Sequence, residues 1–325
     1  MDRQGSLAIV RRAVDEFARL YCAADARWCV ALSGGPDSLA LAAAAARVRP
    51  TVALIVDHGL QPGSAAIART ARDQALELGC VEAQVLRVDV GMSGGPEAAA
   101  RTARYAALDT ARDGAPVLVA HTLDDQAETV LLGLGRGSGA RSIAGMRPHD
   151  PPWGRPLLGV RRAVTVGACE ELGLVPWRDP HNGDPRFTRV RLRAEVLPLL
   201  EEVLGGGVAE ALTRTAAALR EDTEVLDGLA ADALGAVVSG VGLDARLDAE
   251  RLSEVPSALR RRVIRRWLLG GGANDLTDGQ IRGVDRLVVE WGGRGGVAVG
   301  SSLRNQRLFA ERTGTELILR TEPVH

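Results

Sequence analysis

The chain predicts an α/β protein: a parallel sheet with helices on both faces, then a smaller α+β domain. Three observations lead there. Four short apolar runs, at 28–32, 51–57, 81–88 and 116–120, alternate with helix-length stretches. The runs are nearly continuously hydrophobic, as in strands covered on both faces. The alternation then stops at Gly205-Gly206-Gly207, beyond which a long amphipathic stretch (about 208–234) has no strand beside it. We therefore expect an α/β unit over 1–204, a linking helix over 205–235 and a C-terminal domain over 236–325.

The first helix is read over 6–22, with Leu7, Val10, Val14, Phe17 and Leu20 at three- and four-residue steps. Strand 28–32 runs through a glycine turn into a helix ending near 47. Strand 51–57 leads to a helix at 64–78, strand 81–88 to a helix starting near Pro96, and strand 116–120 to a helix at 123–134. That last helix turns Leu123, Ala127, Val130, Leu131 and Leu134 inward. Residues 135–145 form a glycine-arginine stretch, either a phosphate cover or a linker, and 149–160 read as proline-rich and irregular. A helix at 162–173, a polar loop at 179–185 and a basic segment, Arg186 to Arg193, complete the first part. Helices at 256–268 and 277–291 and strands around 296–310 and 315–320 make up the rest.

Composition excludes several chemistries. The 40 basic residues are all arginine, so no Schiff-base lysine, lysine nucleophile or Walker lysine exists. Cys22, Cys29, Cys80 and Cys169 lie far apart, which fits reduced core residues better than a disulfide frame, zinc site or iron–sulfur cluster. No apolar run reaches the roughly 18 residues of a membrane span, and a cytoplasmic location with no membrane partner is expected. The net charge of −1 gives no global sign of nucleic-acid binding; a polynucleotide would need a local arginine surface.

In such sheets ligands bind beyond the carboxyl ends of the strands. Two stretches there carry chemistry. Ser33-Gly34-Gly35-Pro36-Asp37-Ser38 follows the first strand. Glycines permit a tight turn with bare N–H groups, and Pro36 suits a first helical turn. Such a helix N-terminus accepts anions, Ser33 and Ser38 add hydroxyls, and Asp37 can hold a cation against phosphate. His121-Thr122-Leu123-Asp124-Asp125-Gln126-Ala127-Glu128-Thr129 follows the fourth strand. Thr122 with Asp125 fits a capping box, which explains one or two of these carboxylates but not His121 at a strand end with Asp124, Asp125, Gln126 and Glu128 all following. Carboxylates near phosphates can hold magnesium, or bind an ammonium group and help deprotonate it.

The Ser-Gly-Gly-x-Asp-Ser string resembles the pyrophosphate loop of the N-type ATP pyrophosphatases. Together with His-x-x-Asp-Asp-Gln-x-Glu-Thr it resembles the tRNA(Ile)-lysidine synthetase family. Val56-Asp57-His58-Gly59-Leu60, Glu97-Ala98-Ala99-Ala100-Arg101-x-x-Arg104-Tyr105 and Asp179-Pro180-His181-Asn182 with the arginines to Arg193 also look like that family. The match is strong over about 25–200 and loose beyond; the chain is similar to shorter members without a further C-terminal domain.

The resemblance implies the PP-loop fold, with a five-strand-type parallel sheet. It also implies a reaction in which ATP adenylates O2 of the wobble cytidine of a CAU-anticodon tRNA(Ile). Free lysine then attacks C2 and AMP leaves. The implied ATP site is Ser33, Gly34, Gly35, Pro36, Asp37, Ser38, Asp57 and His58, with Asp37 and Asp124 for Mg2+. Asp37, Arg101, His121 and Asp125 are the catalytic candidates, and Asp125 and Glu128 the lysine-binding ones. Arg186, Arg189, Arg191 and Arg193 are assigned to the tRNA, backed by Arg260, Arg261, Arg262, Arg265 and Arg266. Each has a plainer alternative: Arg101 a surface ion pair, His121 a satisfied core histidine, the arginines a solvated helix face. Whether the chain forms a homodimer stays open. A PP-loop amide synthetase acting on a small acceptor is the competing enzyme reading, and a non-catalytic nucleotide-binding protein the third.

Overall fold

The structure, a computed structural model, describes residues 5–23, 27–59, 63–89, 96–137, 139–293 and 295–324. The side chains of Glu97, Ala98, His181 and Asn182, and Leu60 as a whole, lie outside the described part. The chain forms two compact units, Met1–Leu132 with Gly145–Thr215 and Gly133–Ala144 with Ala216–His325.

The first unit runs α1 (Ser6–Tyr21), β1 (Trp28–Ala31), α2 (Pro36–Val48), β2 (Thr51–Asp57), α3 (Ser64–Glu77), β3 (Glu82–Arg87), α4 (Pro96–Ala111), β4 (Val117–Leu118) and α5 (Leu123–Arg136). The short α6 (Ala140–Ile143) belongs to the second unit. Then come β5 (His149–Asp150), β6 (Trp153–Gly154), α7 (Arg162–Glu171), α8 (Thr188–Arg191), α9 (Leu197–Val203) and α10 (Val208–Val237), which passes into the second unit. The sheet order is β3-β2-β1-β4-β6-β5. Its pairs are parallel except β5 with β6.

β5 and β6 arise within the stretch expected to be irregular, because two-residue strands leave no periodicity to read. β1 and β2 are buried almost throughout, and the Trp28 indole N–H donates to Thr51 Oγ1 at 2.7 Å inside the core. α2 is buried from Ser38 through Ala45, as its uniform Leu/Ala sequence requires of a helix apolar on every side. Two stripe positions miss the core: Leu20 is 55% exposed and Leu134 is 49% exposed, each in the last turn of its helix.

The second unit holds an antiparallel sheet of six strands. In chain order these are β7 (Val238–Ser239), β8 (Arg246–Asp248), β9 (Ala273–Asn274), β10 (Gly296–Ser301), β11 (Gln306–Thr313) and β12 (Glu316–Pro323). α11 (Ala249–Glu254), α12 (Ser257–Gly270) and α13 (Asp278–Val289) accompany it, over a core that includes Leu247, Ile264, Trp267, Val284 and Leu308. The Arg260 side chain turns inward, away from the expected basic surface. Its Nε donates to Asp285 Oδ1 at 2.5 Å and its Nη1 to the Val255 carbonyl at 2.9 Å.

β1 and β4 are neighbours at the point where the strand order reverses. Both chemistry-bearing stretches therefore leave the same edge of the sheet, at the switch point where open α/β sheets bind ligands.

A Cβ added at Gly154 would lie 2.5 Å from Phe17 Cζ and 2.8 Å from Leu118 Cδ2. Gly154→Ala is expected to destabilise the first unit by about 1–3 kcal/mol, read as a lower urea midpoint for its transition.

Candidate active site

The loop after β1 has the geometry its glycines permit. Gly34 sits at φ 78°, Gly35 precedes α2, and Pro36 is the first helical residue. The Trp177 N–H holds the Gly34 carbonyl at 2.9 Å. Ser38 Oγ donates to the Gly35 carbonyl at 2.9 Å and accepts the Ser33 N–H at 3.2 Å. Ser33 Oγ lies 3.1 Å from Ser38 Oγ and accepts the Gly35 N–H at 3.4 Å. The hydroxyls thus tie a glycine turn to a helix N-terminus, an arrangement that favours anions.

Asp37, in the first turn of α2, accepts a hydrogen bond from the Thr165 hydroxyl and another from Arg162 Nε at 3.3 Å. Burial nevertheless pushes its carboxyl above the usual range, against the opposing pull of Thr165 and Arg162.

At the start of α5 the capping box is present. Asp125 Oδ2 accepts the Thr122 N–H and hydroxyl, both at 2.8 Å, and the Asp125 N–H reaches Thr122 Oγ1 at 3.4 Å. Capping uses one carboxylate oxygen. The other, Oδ1, accepts from Arg162 Nη2 at 2.5 Å and lies 3.5 Å from Arg193 Nη2. Burial alone would raise the Asp125 carboxyl; the Arg162 guanidinium, with the Thr122 bonds, outweighs it and holds it below its ordinary value.

Glu128, one turn on, has a fully buried side chain. Arg193 grips it in fork geometry, Nε to Oε1 at 2.7 Å and Nη2 to Oε2 at 3.2 Å, and Arg162 Nη1 stands 3.7 Å away. Asp124 faces α7: its Oδ2 accepts the Arg162 backbone N–H at 2.7 Å, and Arg161 lies 3.3 Å from Oδ1. Gln126 points elsewhere, bonding the backbone of Met146 through both amide atoms.

Asp57, at the end of β2, accepts the Gly59 N–H at 3.1 Å. His58 and His121 each bury an Nδ1 that has no hydrogen-bond partner among the described residues. Burial, with Arg104 adding to it, lowers the His58 pKa. Burial takes His121 down to about 4, with Arg155, Arg101 and Arg104 pushing the same way and Asp125 opposing. Both imidazoles are neutral near pH 7. Arg101 is exposed and stacks on Tyr105, its guanidinium 4.8 Å from the ring centroid, and Tyr105 meets Trp153 edge-on.

The basic segment divides in two. Arg193 and Arg189 lean toward the acids, with Arg189 3.9 Å from Glu128. Arg186 and Arg191 are exposed and pair locally with Asp184 and Glu195.

Sequence reasoning missed Arg162 and Thr165. The available signal was the place of Arg162 at the first position of a helix, where the dipole disfavours a cation; such a residue needs acidic partners from elsewhere.

Comparison with known proteins agrees with this geometry. A model of the PP-loop domain matches residues 8–200, and one of the TilS substrate binding domain matches residues 247–309. The tRNA(Ile)-lysidine synthase of Mycobacterium tuberculosis is 69% identical over 325 residues, covering 100% of both chains. The chain belongs to the tRNA(Ile)-lysidine synthase family.

The tRNA(Ile)-lysidine synthases of Mycobacterium leprae (67% identical over 327 residues, 100% of both chains) and Rhodococcus erythropolis (62% over 295 residues, 90% of this chain and 89% of that one) are also similar. Among solved structures, the U34-tRNA thiolase NcsA of Methanococcus maripaludis, with its [4Fe-4S] cluster, shares the fold. Its TM-score is 0.54 at 18% identity, over 66% of this chain and 80% of that one. As a member of the lysidine synthase family, the chain is an ATP-dependent ligase of the PP-loop class.

His121 supplies a pH test. Its folded pKa lies below the unfolded value, so the unfolded state binds the extra proton and stability falls as pH drops from about 6.5 toward 4. Wild type is expected to lose up to ~3 kcal/mol across that window through this group, and His121→Gln to lose correspondingly less, measured by urea unfolding at pH 4.5 and 7.5.

Proposed function

We propose that the chain carries out the tRNA(Ile)-lysidine synthase reaction on the wobble cytidine of CAU-anticodon tRNA(Ile), with free L-lysine as the second substrate. Two bonds are made. Cytidine O2 attacks the α-phosphorus of ATP, and pyrophosphate leaves. The lysine amine then attacks C2, the C2–O bond breaks, and AMP departs with the former O2. The observation that carries this reading is the meeting of Asp37, beside the phosphate loop, with Asp125 and Glu128 around one guanidinium at the switch-point edge. Phosphate departure and amine attack need that proximity.

The backbone N–H groups and hydroxyls of the loop, Ser33 to Ser38, receive the phosphates, and Asp57 and His58 border them. Arg101 supplies fixed positive charge to the pyrophosphate or the adenylated base. The neutral imidazole of His121 contacts phosphate or base. Asp125 and Glu128 bind the lysine ammonium, whose desolvation their charges offset, and its proton is lost to water before the amine attacks. The cytidine must be splayed from its neighbours to reach this edge. Arg186 and Arg191, with Arg189 and Arg193 behind them, grip phosphates of the anticodon stem.

Among the described residues no group of three or more His, Cys, Asp or Glu could form a metal cage by itself. That fits Mg2+ brought in by ATP, since magnesium is held by one or two carboxylates plus substrate phosphates. Asp37 would hold it, with Asp124 in support, and its chemistry would be charge neutralisation on the phosphates.

In this reading 1–204 is the ligase domain, 205–235 the connecting helix and 236–325 the tRNA-holding part. On the same reading the chain works in the cytoplasm, on tRNA; separately, among the described residues no helix is long and apolar enough to cross a membrane. Whether the chain works as a monomer or a homodimer is decided by sedimentation.

Purified protein is incubated with ATP, Mg2+, labelled lysine and unmodified CAU-anticodon tRNA(Ile), with methionine tRNA as control. Label is expected only in the isoleucine tRNA, with matching AMP; AMP without label in tRNA would favour a small-molecule acceptor. Asp37→Ala is expected to reduce AMP release by about 100-fold or more. Glu128→Gln is expected to raise the KM for lysine about tenfold.

A further inference from the structure

We infer that Arg162 is a positioning residue of the ligation centre, its one guanidinium setting the spacing between the ATP-side carboxylate Asp37 and the amine-side pair Asp125 and Glu128. This rests on the reaction proposed above. Each of the three guanidinium nitrogens faces a different carboxylate. Nε meets Asp37 Oδ2 at 3.3 Å, Nη2 meets Asp125 Oδ1 at 2.5 Å and Nη1 stands 3.7 Å from Glu128 Oε1. Asp37 is on α2 and the other two are on α5.

Arg162 is itself fixed from behind. It opens α7, and its backbone N–H is held by Asp124 Oδ2 at 2.7 Å. Thr165, in the same turn, donates to Asp37. The first turn of α7 is thus a clamp laid across the N-terminal turns of α2 and α5.

What separates positioning from packing is how the partners are shared. Asp37 has Thr165, Asp125 has the two Thr122 donors, and Glu128 has the Arg193 fork. Each carboxylate keeps a partner of its own without Arg162. Arg162 alone touches all three, so its loss frees their relative positions while leaving each acid paired. A lysine there would be a point charge without the planar fork, able to serve one or two of them.

The full chain is compared as wild type, Arg162→Lys, Arg162→Gln and Arg162→Ala for kcat, for the KM of lysine, ATP and tRNA, and for thermal unfolding. Arg162→Gln is expected to lower kcat about 100-fold, since small misplacements of reacting groups cost that much. The KM for tRNA should stay within about threefold of wild type, because no phosphate grip is touched. Arg162→Lys should fall between, and methylguanidinium should raise the rate of Arg162→Ala about tenfold or more, by refilling the fork.

A kcat within about twofold of wild type in Arg162→Gln overturns the inference. So does a rate loss that tracks the loss of folded protein and does not respond to methylguanidinium. Wild type serves as the separate check: if it shows no lysine-dependent AMP release, the underlying reading falls and takes this one with it.

Discussion

Three carboxylates share two guanidinium groups at the carboxyl edge of the first sheet, and much of the site depends on that balance. Glu128 has no solvent-exposed side chain surface and Asp125 only 14%. Charges so placed would neutralise themselves unless paired and hydrogen-bonded. Arg162 and Arg193 provide the pairing, and in turn those carboxylates hold the Arg162 proton more tightly than usual despite its burial. Since the chain has no lysine, every compensating side-chain cation with a fixed charge is an arginine, whose fork can bridge acids that a point charge could not.

Helix N-termini explain why the acids stand there. Asp37, Asp124 and Asp125 all lie in first turns, where the dipole favours negative charge. The same termini attract phosphate. The site therefore combines an anion cradle after β1 with an acid cluster after β4, and the strand order brings them side by side. The proposed reaction, which brings a polyphosphate and a cationic amine together, would use both potentials at one edge. Asp125 joins the two, one oxygen capping α5 and the other facing Arg162.

Much of this was legible in the sequence. The glycine turn, Pro36 at the start of α2, the capping box at Thr122 and the alternating strands are local patterns, and local patterns survive into structure. β5, β6, β7 and β9 were not legible because two-residue strands without a longer apolar run around them, such as the one that marks β4, exist only through their neighbours. The clamp from α7 was hidden for a related reason: Arg162 lies 125 residues from Asp37, and no spacing rule links them. Arg260 shows the converse, an arginine in a basic run that turns inward to Asp285 because α12 buries that face. Charge read along the chain does not say which side of a helix faces the core.

The most direct test of a ligation centre that activates the base rather than the amino acid follows the oxygen. A CAU-anticodon tRNA(Ile) carrying 18O at O2 of the wobble cytidine would be converted in a single turnover with ATP, Mg2+ and lysine, and the released AMP examined by mass spectrometry. The account predicts one 18O in the AMP phosphate for each lysine joined to the tRNA. Unlabelled AMP accompanying full lysine transfer would contradict it, since the activated oxygen would then belong to another group.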